Sequence, residues 1–325
     1  MTKKVVFGTL RPKEEPFRVP FPYLNNWKGE GNMKINPDFP VGNAAGWCKS
    51  VAEVEALAKS AAGFIIVGSI TMNQRDGNPG NTFNGDPVFT LNSLGLPNPG
   101  IEKLEEIGPE MVRIAHEAGK PIIVSIAGFF AEEFGELAAR VQRIGFDGVE
   151  VNLGCPNVAD GGKRKPIISY RKQLVEDSLS AVFNYTGGWF ISVKVSPMDP
   201  DRIEEIASVI AEFPVDAVVT QNTVPNCLDF NSDGTPVIQT PDKLGYAGGS
   251  GKQIFQQALG QVQQWRKVLP EGIAVWGVGG VQSGEDVERM LWAGASVVQI
   301  GTAYFVGGAK VFGDIAMQYI GFTDN

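Results

Sequence analysis

A thiol set between two carboxamides is the part of this chain best equipped for chemistry. In Val149-Glu150-Val151-Asn152-Leu153-Gly154-Cys155-Pro156-Asn157 a β-branched run leads straight into Cys155, with Asn152 and Asn157 on either side and Pro156 stiffening the turn. A cysteine at a strand end can act as base or nucleophile, and each carboxamide can both donate to and accept from a polar ligand beside it. Buried cysteines are more often small hydrophobes, so the run alone leaves both readings open.

Other polar residues fall at equivalent places. Asn43 and Lys49 follow a first apolar run, Asn92 follows a long loop, Lys194 ends another run and Asn222-Thr223 a further one. Each asparagine alone reads equally as a turn or cap residue. Converging on one surface, the set predicts a ligand with several amide or imide edges. Toward the carboxyl end, Trp276-Gly277-Val278-Gly279-Gly280 and Gln299-Ile300-Gly301-Thr302-Ala303 give two glycine-containing turns whose backbone amides can cradle a phosphate. They point to a phosphate-bearing cofactor. With one histidine in the chain and no carboxylate-rich cluster, no catalytic metal is expected.

Bringing these residues to one surface requires a fold that gathers many strand ends. From Phe39 onward, β-branched runs alternate with amphipathic stretches, the rhythm of parallel strands joined by crossover helices. The expected strands cover 41–46, 64–71, 121–128, 148–153, 190–195, 217–222, 273–279 and 297–302. Helices are expected over 51–62, 132–144, 201–212 and 285–293, with Ser283 and Asp199-Pro200 marking two starts. Eight such units predict a closed (β/α)8 barrel, an α/β TIM barrel over 38–325 with its chemistry at the carboxyl ends of the strands. An open doubly wound sheet is the alternative. Residues 1–37 read as an amino-terminal arm packed on the barrel or a neighbouring subunit, or as overhang. Two excursions, 72–91 and 224–249, exceed ordinary βα loops and read as lids or binding loops.

Bulk properties narrow the partners. A chain of 325 residues, 43% of them hydrophobic and three of them cysteine, has ample core and no disulfide framework, which suits a cytoplasmic protein. A net charge of -8 argues against nucleic acid or an anionic membrane as partner. No apolar run approaches the roughly 20 residues that span a bilayer, and no signal-peptide core is evident.

Asn43-Ala44-Ala45-Gly46, Arg75-Asp76-Gly77-Asn78-Pro79, Asn92-Ser93-Leu94-Gly95-Leu96-Pro97-Asn98, the run from Asn152 to Asn157, Val193-Lys194 and the pairs Gly279-Gly280 and Gly301-Thr302 follow in order. Over residues 39–312 this pattern resembles the dihydroorotate dehydrogenases. The resemblance implies FMN on the barrel mouth, held by Ala44, Ala45, Gly46, Ser69, Asn152, Lys194, Ser250 and Gly251, with its phosphate at Gly279, Gly280, Gly301 and Thr302. It implies that Lys194 lies by the flavin pyrimidine ring and stabilises the anionic reduced flavin. It also implies a small-molecule substrate, dihydroorotate, bound by Lys49, Asn92, Leu94, Gly95, Leu96, Asn152, Asn157, Asn222 and Thr223 and oxidised to orotate. Cys155 would take the C5 proton while hydride passes from C6 to flavin N5. A homodimer is implied as well. Because an unperturbed thiol is mostly protonated at neutral pH, activity should rise toward alkaline pH.

Departures from the family pattern leave the electron acceptor open among fumarate, a flavin or iron-sulfur partner subunit, and oxygen. Gly68-Ser69-Ile70-Thr71 stands where the soluble class carries a lysine, whereas Lys49, after Ala44-Ala45-Gly46-Trp47-Cys48, is placed as in the quinone-using class. Cys155 and Val158 are similar to the soluble class, and the quinone class's amino-terminal hydrophobic segment is not seen. Gly154, where serine is usual, is expected to leave room beside Cys155. Lys49 gripping a carboxylate would favour dihydroorotate over an uncharged dihydropyrimidine; as a solvated lysine at a helix start it would not. A reductase of another dihydropyrimidine, a transfer-RNA reductase lacking the basic surface it needs, and a non-catalytic flavin- or phosphate-binding barrel are the competing readings. Cys48 and Cys227 read as ordinary thiols, His116 as a surface residue, and Lys163-Arg164-Lys165 as solvated loop or lid contact.

Overall fold

Strands buried on both faces carry near-continuous apolar runs, and the runs Ile65-Ile66-Val67 and Ile122-Ile123-Val124 are buried throughout. The computed structural model describes residues 35, 37–160 and 163–323, so the arm expected over 1–37 lies almost wholly outside the described residues. The central strands are β1 (Val41–Asn43), β2 (Ile65–Ile70), β3 (Ile122–Ile126), β4 (Gly148–Asn152), β5 (Phe190–Lys194), β6 (Ala217–Val219), β7 (Ala274–Val278) and β8 (Val297–Ile300). They form one eight-stranded sheet in the order β1-β8-β7-β6-β5-β4-β3-β2, and a parallel bridge between Gly42 and Phe64 joins its two ends. The closed (β/α)8 barrel is the fold, and the open sheet is set aside.

The helices are α1 (Val51–Ala58), α2 (Gly100–Glu117), α3 (Ala131–Ile144), α4 (Lys172–Tyr185), α5 (Pro200–Ile210), α6 (Phe255–Val268), α7 (Gly284–Trp292), α8 (Thr302–Gly307) and α9 (Lys310–Thr323). Their starts follow the side chains. Ser50 and Glu53 form a reciprocal capping box on α1, Asp199 caps α5 ahead of Pro200, and Ser283 caps α7. Each device satisfies backbone donors that the first turn leaves unpaired.

Alternation along the strands builds two apolar layers. Ile65, Val67, Ile122 and Val124 face outward into the layer shared with the helices, while Phe64, Ile66, Ile123, Phe190, Trp276 and Val297 fill the barrel. Inside, the Trp276 ring lies 5.3 Å from Phe64 and 5.2 Å from Phe190.

Asn43 belongs to the seam, not to the mouth. Its Nδ2 donates to Ile66 O (2.7 Å) and its Oδ1 accepts from Ile66 N (2.9 Å). A side chain thus supplies the backbone-like pairing that β1 and β2 otherwise make sparsely.

The two long excursions do more than cover the mouth. They pair with each other in a four-stranded antiparallel sheet, in which Ala247–Ser250 lies between Val224–Cys227 and Thr90–Asn92, and Phe83–Gly85 forms the far edge. Leu91, Ile238 and Ala247 make a small core of their own beneath it. Asn92 therefore stands on a strand of this second sheet, opposite Gly248.

Candidate active site

Strand ends and the second sheet meet around a narrow cavity. Ala44 and Ala45 line it after β1, Lys194 at the end of β5, Gln221, Asn222 and Thr223 after β6, Gly279 and Gly280 after β7, and Gly301 and Thr302 at the start of α8. Asn92, Ser250 and Gly251 close it from the second sheet. Twelve of the residues expected to hold cofactor or substrate thus share one wall, and Thr302 Oγ1 donates to Ser250 Oγ (3.1 Å) across it. The slit measures about 100 Å³, and Trp47, Phe83 and Phe305 form part of its lining. The Trp47 and Phe305 rings lie 4.1 Å apart, and those of Phe83 and Phe305 4.7 Å, so these rings must part to admit a larger ring.

The chemistry of this wall suits a phosphate-bearing heteroaromatic group. Two glycine turns and a helix start expose backbone amides, Lys194 offers a cation, and the buried Gln221 carboxamide has no partner at either its oxygen or its nitrogen. Gly46 stands off this wall, its amide donating to Gly68 O (2.6 Å). Ser69 and Asn152 are not part of this wall either.

Cys155 opens on a second, larger cavity of about 910 Å³, lined also by Leu96, Asn152, Phe129, Val158 and Lys165. Burial pushes the Cys155 thiol up; the backbone N–H of Asn157, the Arg75 guanidinium and the Lys49 ammonium act in the opposite direction. Lys49 is itself held below the usual lysine range by burial, against the pull of Glu53 and of Cys155. Its Nζ donates to Pro97 O (2.6 Å), which ties it to the Leu94-Gly95-Leu96-Pro97 loop. Arg75 donates from Nε to Gly95 O (3.1 Å) and places its guanidinium 4.7 Å from the Phe129 ring centroid. The Lys165 ammonium also sits over that ring, at 4.6 Å, so the last residue of the charge run makes a contact at the cavity; the side chains of Lys163 and Arg164 lie outside the described residues.

Hydrogen bonds between asparagines join the two cavities. Asn222 Nδ2 donates to Asn152 Oδ1 (3.1 Å), and Asn152 Nδ2 to Ser69 Oγ (2.9 Å), which pairs with Ser125 Oγ (2.9 Å). Asn157 Nδ2 donates to Asn92 O (2.8 Å) and Asn92 Oδ1 (3.1 Å), leaving Asn157 Oδ1 buried and unpartnered. The asparagines also cap: Asn152 Oδ1 accepts from Gly154 N and Asn222 Oδ1 from Thr223 N. Turn residue and cavity-lining residue are one and the same here.

Inside the barrel, Lys194 Nζ donates to Gln299 Oε1 (3.0 Å) and lies 3.6 Å from Glu150 Oε1, while Gln299 Nε2 donates to Glu150 Oε2 (2.7 Å). Glu150 and Gln299 were not singled out by their sequence positions, because both sit inside apolar strands. Gln221 was likewise overshadowed by Asn222-Thr223 beside it.

Gly154 departs from expectation. A Cβ there would lie 2.4 Å from the Val195 carbonyl carbon and 2.6 Å from Ser196 N. The glycine admits the backbone that follows β5, to which it is tied by Ser196 Oγ donating to Gly154 O (2.8 Å); it does not open space beside Cys155. Cys48 is fully buried and its thiol is pushed far up by burial, as an ordinary core thiol should be. His116 is half exposed and pairs with Asp147 at 3.0 Å. Among the described residues no group of histidine, cysteine and carboxylate side chains could hold a metal.

The chain as a whole is similar to known proteins. The sequence pattern of the family described as dihydroorotate dehydrogenase matches residues 33–320. A dihydroorotate dehydrogenase (fumarate) of Kluyveromyces lactis is 33% identical over 277 residues, 84% of this chain and 85% of that one. Dihydroorotate dehydrogenase A (fumarate) of Lactococcus lactis subsp. lactis is 33% identical over 283 residues, covering 86% and 88%. Among solved structures, the Eimeria tenella enzyme in complex with ferulenol superposes with a TM-score of 0.74 over 90% of this chain and 85% of that one, at 21% identity, which supports the fold.

Proposed function

Because the chain belongs to the dihydroorotate dehydrogenase family, we propose that it is an FMN-dependent oxidoreductase that converts dihydroorotate to orotate in pyrimidine biosynthesis. The observation that carries this reading is the joining of a thiol cavity to a glycine-turn cavity through paired asparagines, with Lys194 at the second. Gly279, Gly280, Gly301 and Thr302 would hold the phosphate of FMN, and Ala44, Ala45, Lys194, Ser250 and Gly251 its ring system and chain. When bound, FMN supplies the hydride acceptor.

The chain's own residues do the rest. Cys155, as thiolate, removes the proton from C5 of the substrate, a role that typically contributes about 10² to 10⁴ in rate. Lys49 and Arg75 favour that thiolate against burial, and the same two cations suit a substrate carboxylate. Asn92, Asn152, Asn157 and Asn222 present carboxamides to the pyrimidine ring, and Asn157 Oδ1 has no protein partner to displace. Leu94, Gly95 and Leu96 form the loop over the substrate.

No helix of the described residues is long and apolar enough to cross a membrane, in keeping with a cytoplasmic enzyme. The relatives' names carry fumarate, the acceptor proposed here. The assembly proposed is a homodimer, its contact on the 224–249 excursion, where Phe230, Leu244 and Tyr246 are exposed; light scattering of the purified protein tests it. The decisive experiment for the activity is anaerobic mixing of FMN-loaded protein with dihydroorotate. Bleaching of the flavin absorbance is expected. Bleaching by an uncharged dihydropyrimidine but not by dihydroorotate would move the assignment to that ring.

A further inference from the structure

We infer that Gln221 reads the edge of a cyclic imide in the glycine-turn cavity and that, on the functional reading above, this edge belongs to the flavin. Gln221 is 1% exposed, and neither Oε1 nor Nε2 has a partner. Among the described residues no other buried carboxamide is unpaired at both atoms; Asn157 lacks a partner at its oxygen alone. Asn43 is paired at both atoms with Ile66, Gln261 with Met198, and Gln299 with Lys194 and Glu150. A buried amide left unpaired at both ends costs stability with nothing in the protein to offset it, and Gln221 is one of the residues that line the glycine-turn cavity.

The position of that amide is built, not incidental. Gly279, at φ +123°, would place a Cβ 2.2 Å from Gln221 Nε2. The turn after β7 therefore leaves out a side chain where the amide lies.

A carboxamide presents a donor and an acceptor side by side, and its complement is a ring edge with adjacent N–H and C=O groups. Both the flavin pyrimidine ring and a dihydropyrimidine substrate carry such an edge. Gln221 shares its wall with Lys194 and the phosphate-cradling glycines, whereas Cys155 opens on the other cavity. The geometry favours the flavin.

The test uses Gln221→Leu, close in shape and without polar atoms, with Gln221→Met as a second variant should the first misfold. FMN is titrated into each apoprotein by fluorescence, orotate into each FMN-loaded protein by its spectral shift, and thermal unfolding of the apoproteins is recorded. We expect FMN affinity to fall about tenfold or more, the loss of one to two hydrogen bonds. Orotate affinity should hold, and the apoprotein midpoint should stay level or rise because an unpaired amide is gone. Weakening confined to orotate would overturn the flavin assignment in favour of the substrate. Unchanged affinity for both ligands, or an apoprotein destabilised with no change in FMN affinity, would overturn the inference. If the unmodified apoprotein takes up no FMN, it is the functional reading that fails.

Discussion

Burial and charge pull the Cys155 thiol in opposite directions, and burial prevails. The thiolate fraction then grows about tenfold per pH unit throughout the neutral range. Flavin reduction by dihydroorotate, followed by stopped flow, should climb with pH on the same slope, and Cys155→Ala should lower it about 10² to 10⁴-fold while FMN stays bound. A rate already level at neutral pH would assign the proton transfer to another group. Lys49 separates two roles in one variant. Lys49→Ala should raise KM for dihydroorotate about 10 to 100-fold, as the loss of one charge-assisted hydrogen bond does. It should also move the Cys155 limb to higher pH, because Lys49 favours the thiolate. FMN content should not change, since Lys49 lies outside the glycine-turn cavity; unaltered KM with dihydroorotate would remove it from the carboxylate site. Cys155, Lys194 and Asn222 could be read from the sequence because strand-end polar residues after apolar runs are rare and local. Gln221 could not, because being unpartnered is a property of the surroundings of a side chain and not of its neighbours in the chain.

Strands show the same division between local and distant information. All eight begin within a residue of the expected position, since an apolar run buried on both faces announces itself. All end one to three residues early: β1 was expected over 41–46 and closes at Asn43, and β6 was expected over 217–222 and closes at Val219. The final residues leave the ladder to form the mouth, which is why several of them line the cavities. The sheet formed by the two excursions was illegible, because strands such as Phe83–Gly85 and Ala247–Ser250 are short and carry Gly and Asn in place of β-branched alternation. Asn43 was misplaced for a similar reason: its sequence position is that of a mouth residue, and only closure of the barrel brings Ile66 opposite it. Asn43→Ala removes both bonds and leaves a buried N–H and C=O unpaired on Ile66. We expect a loss of about 2–4 kcal/mol in urea unfolding, with FMN affinity per folded molecule little changed. A cost below about 0.5 kcal/mol would mean that water or a backbone shift replaces the clasp.

At the scale of the whole barrel, the polar group of greatest consequence is a cation inside an apolar cylinder. Lys194 on β5 is 4% exposed and faces the fully buried Glu150 on β4, with Gln299 on β8 bonded to both. Gln299 can serve both only in one orientation, its oxygen toward the lysine and its nitrogen toward the carboxylate, so three strands are registered against each other through one amide. A buried ion pair of this kind adds little net stability compared with apolar residues of the same volume, yet removing one partner leaves the other charged and uncompensated. Glu150→Leu and Lys194→Met should therefore each cost about 3–5 kcal/mol in urea unfolding of the apoprotein. The double variant should recover most of that loss and cost less than either single variant, because the coupling between neighbours cancels what each single change exposes. Costs that are small and simply additive would show that the two side chains do not act as a pair. The double variant should nevertheless bind FMN more weakly than the unmodified protein. A stable barrel without Lys194 would show that the ion pair is maintained for the ligand at the mouth and not for the fold that surrounds it.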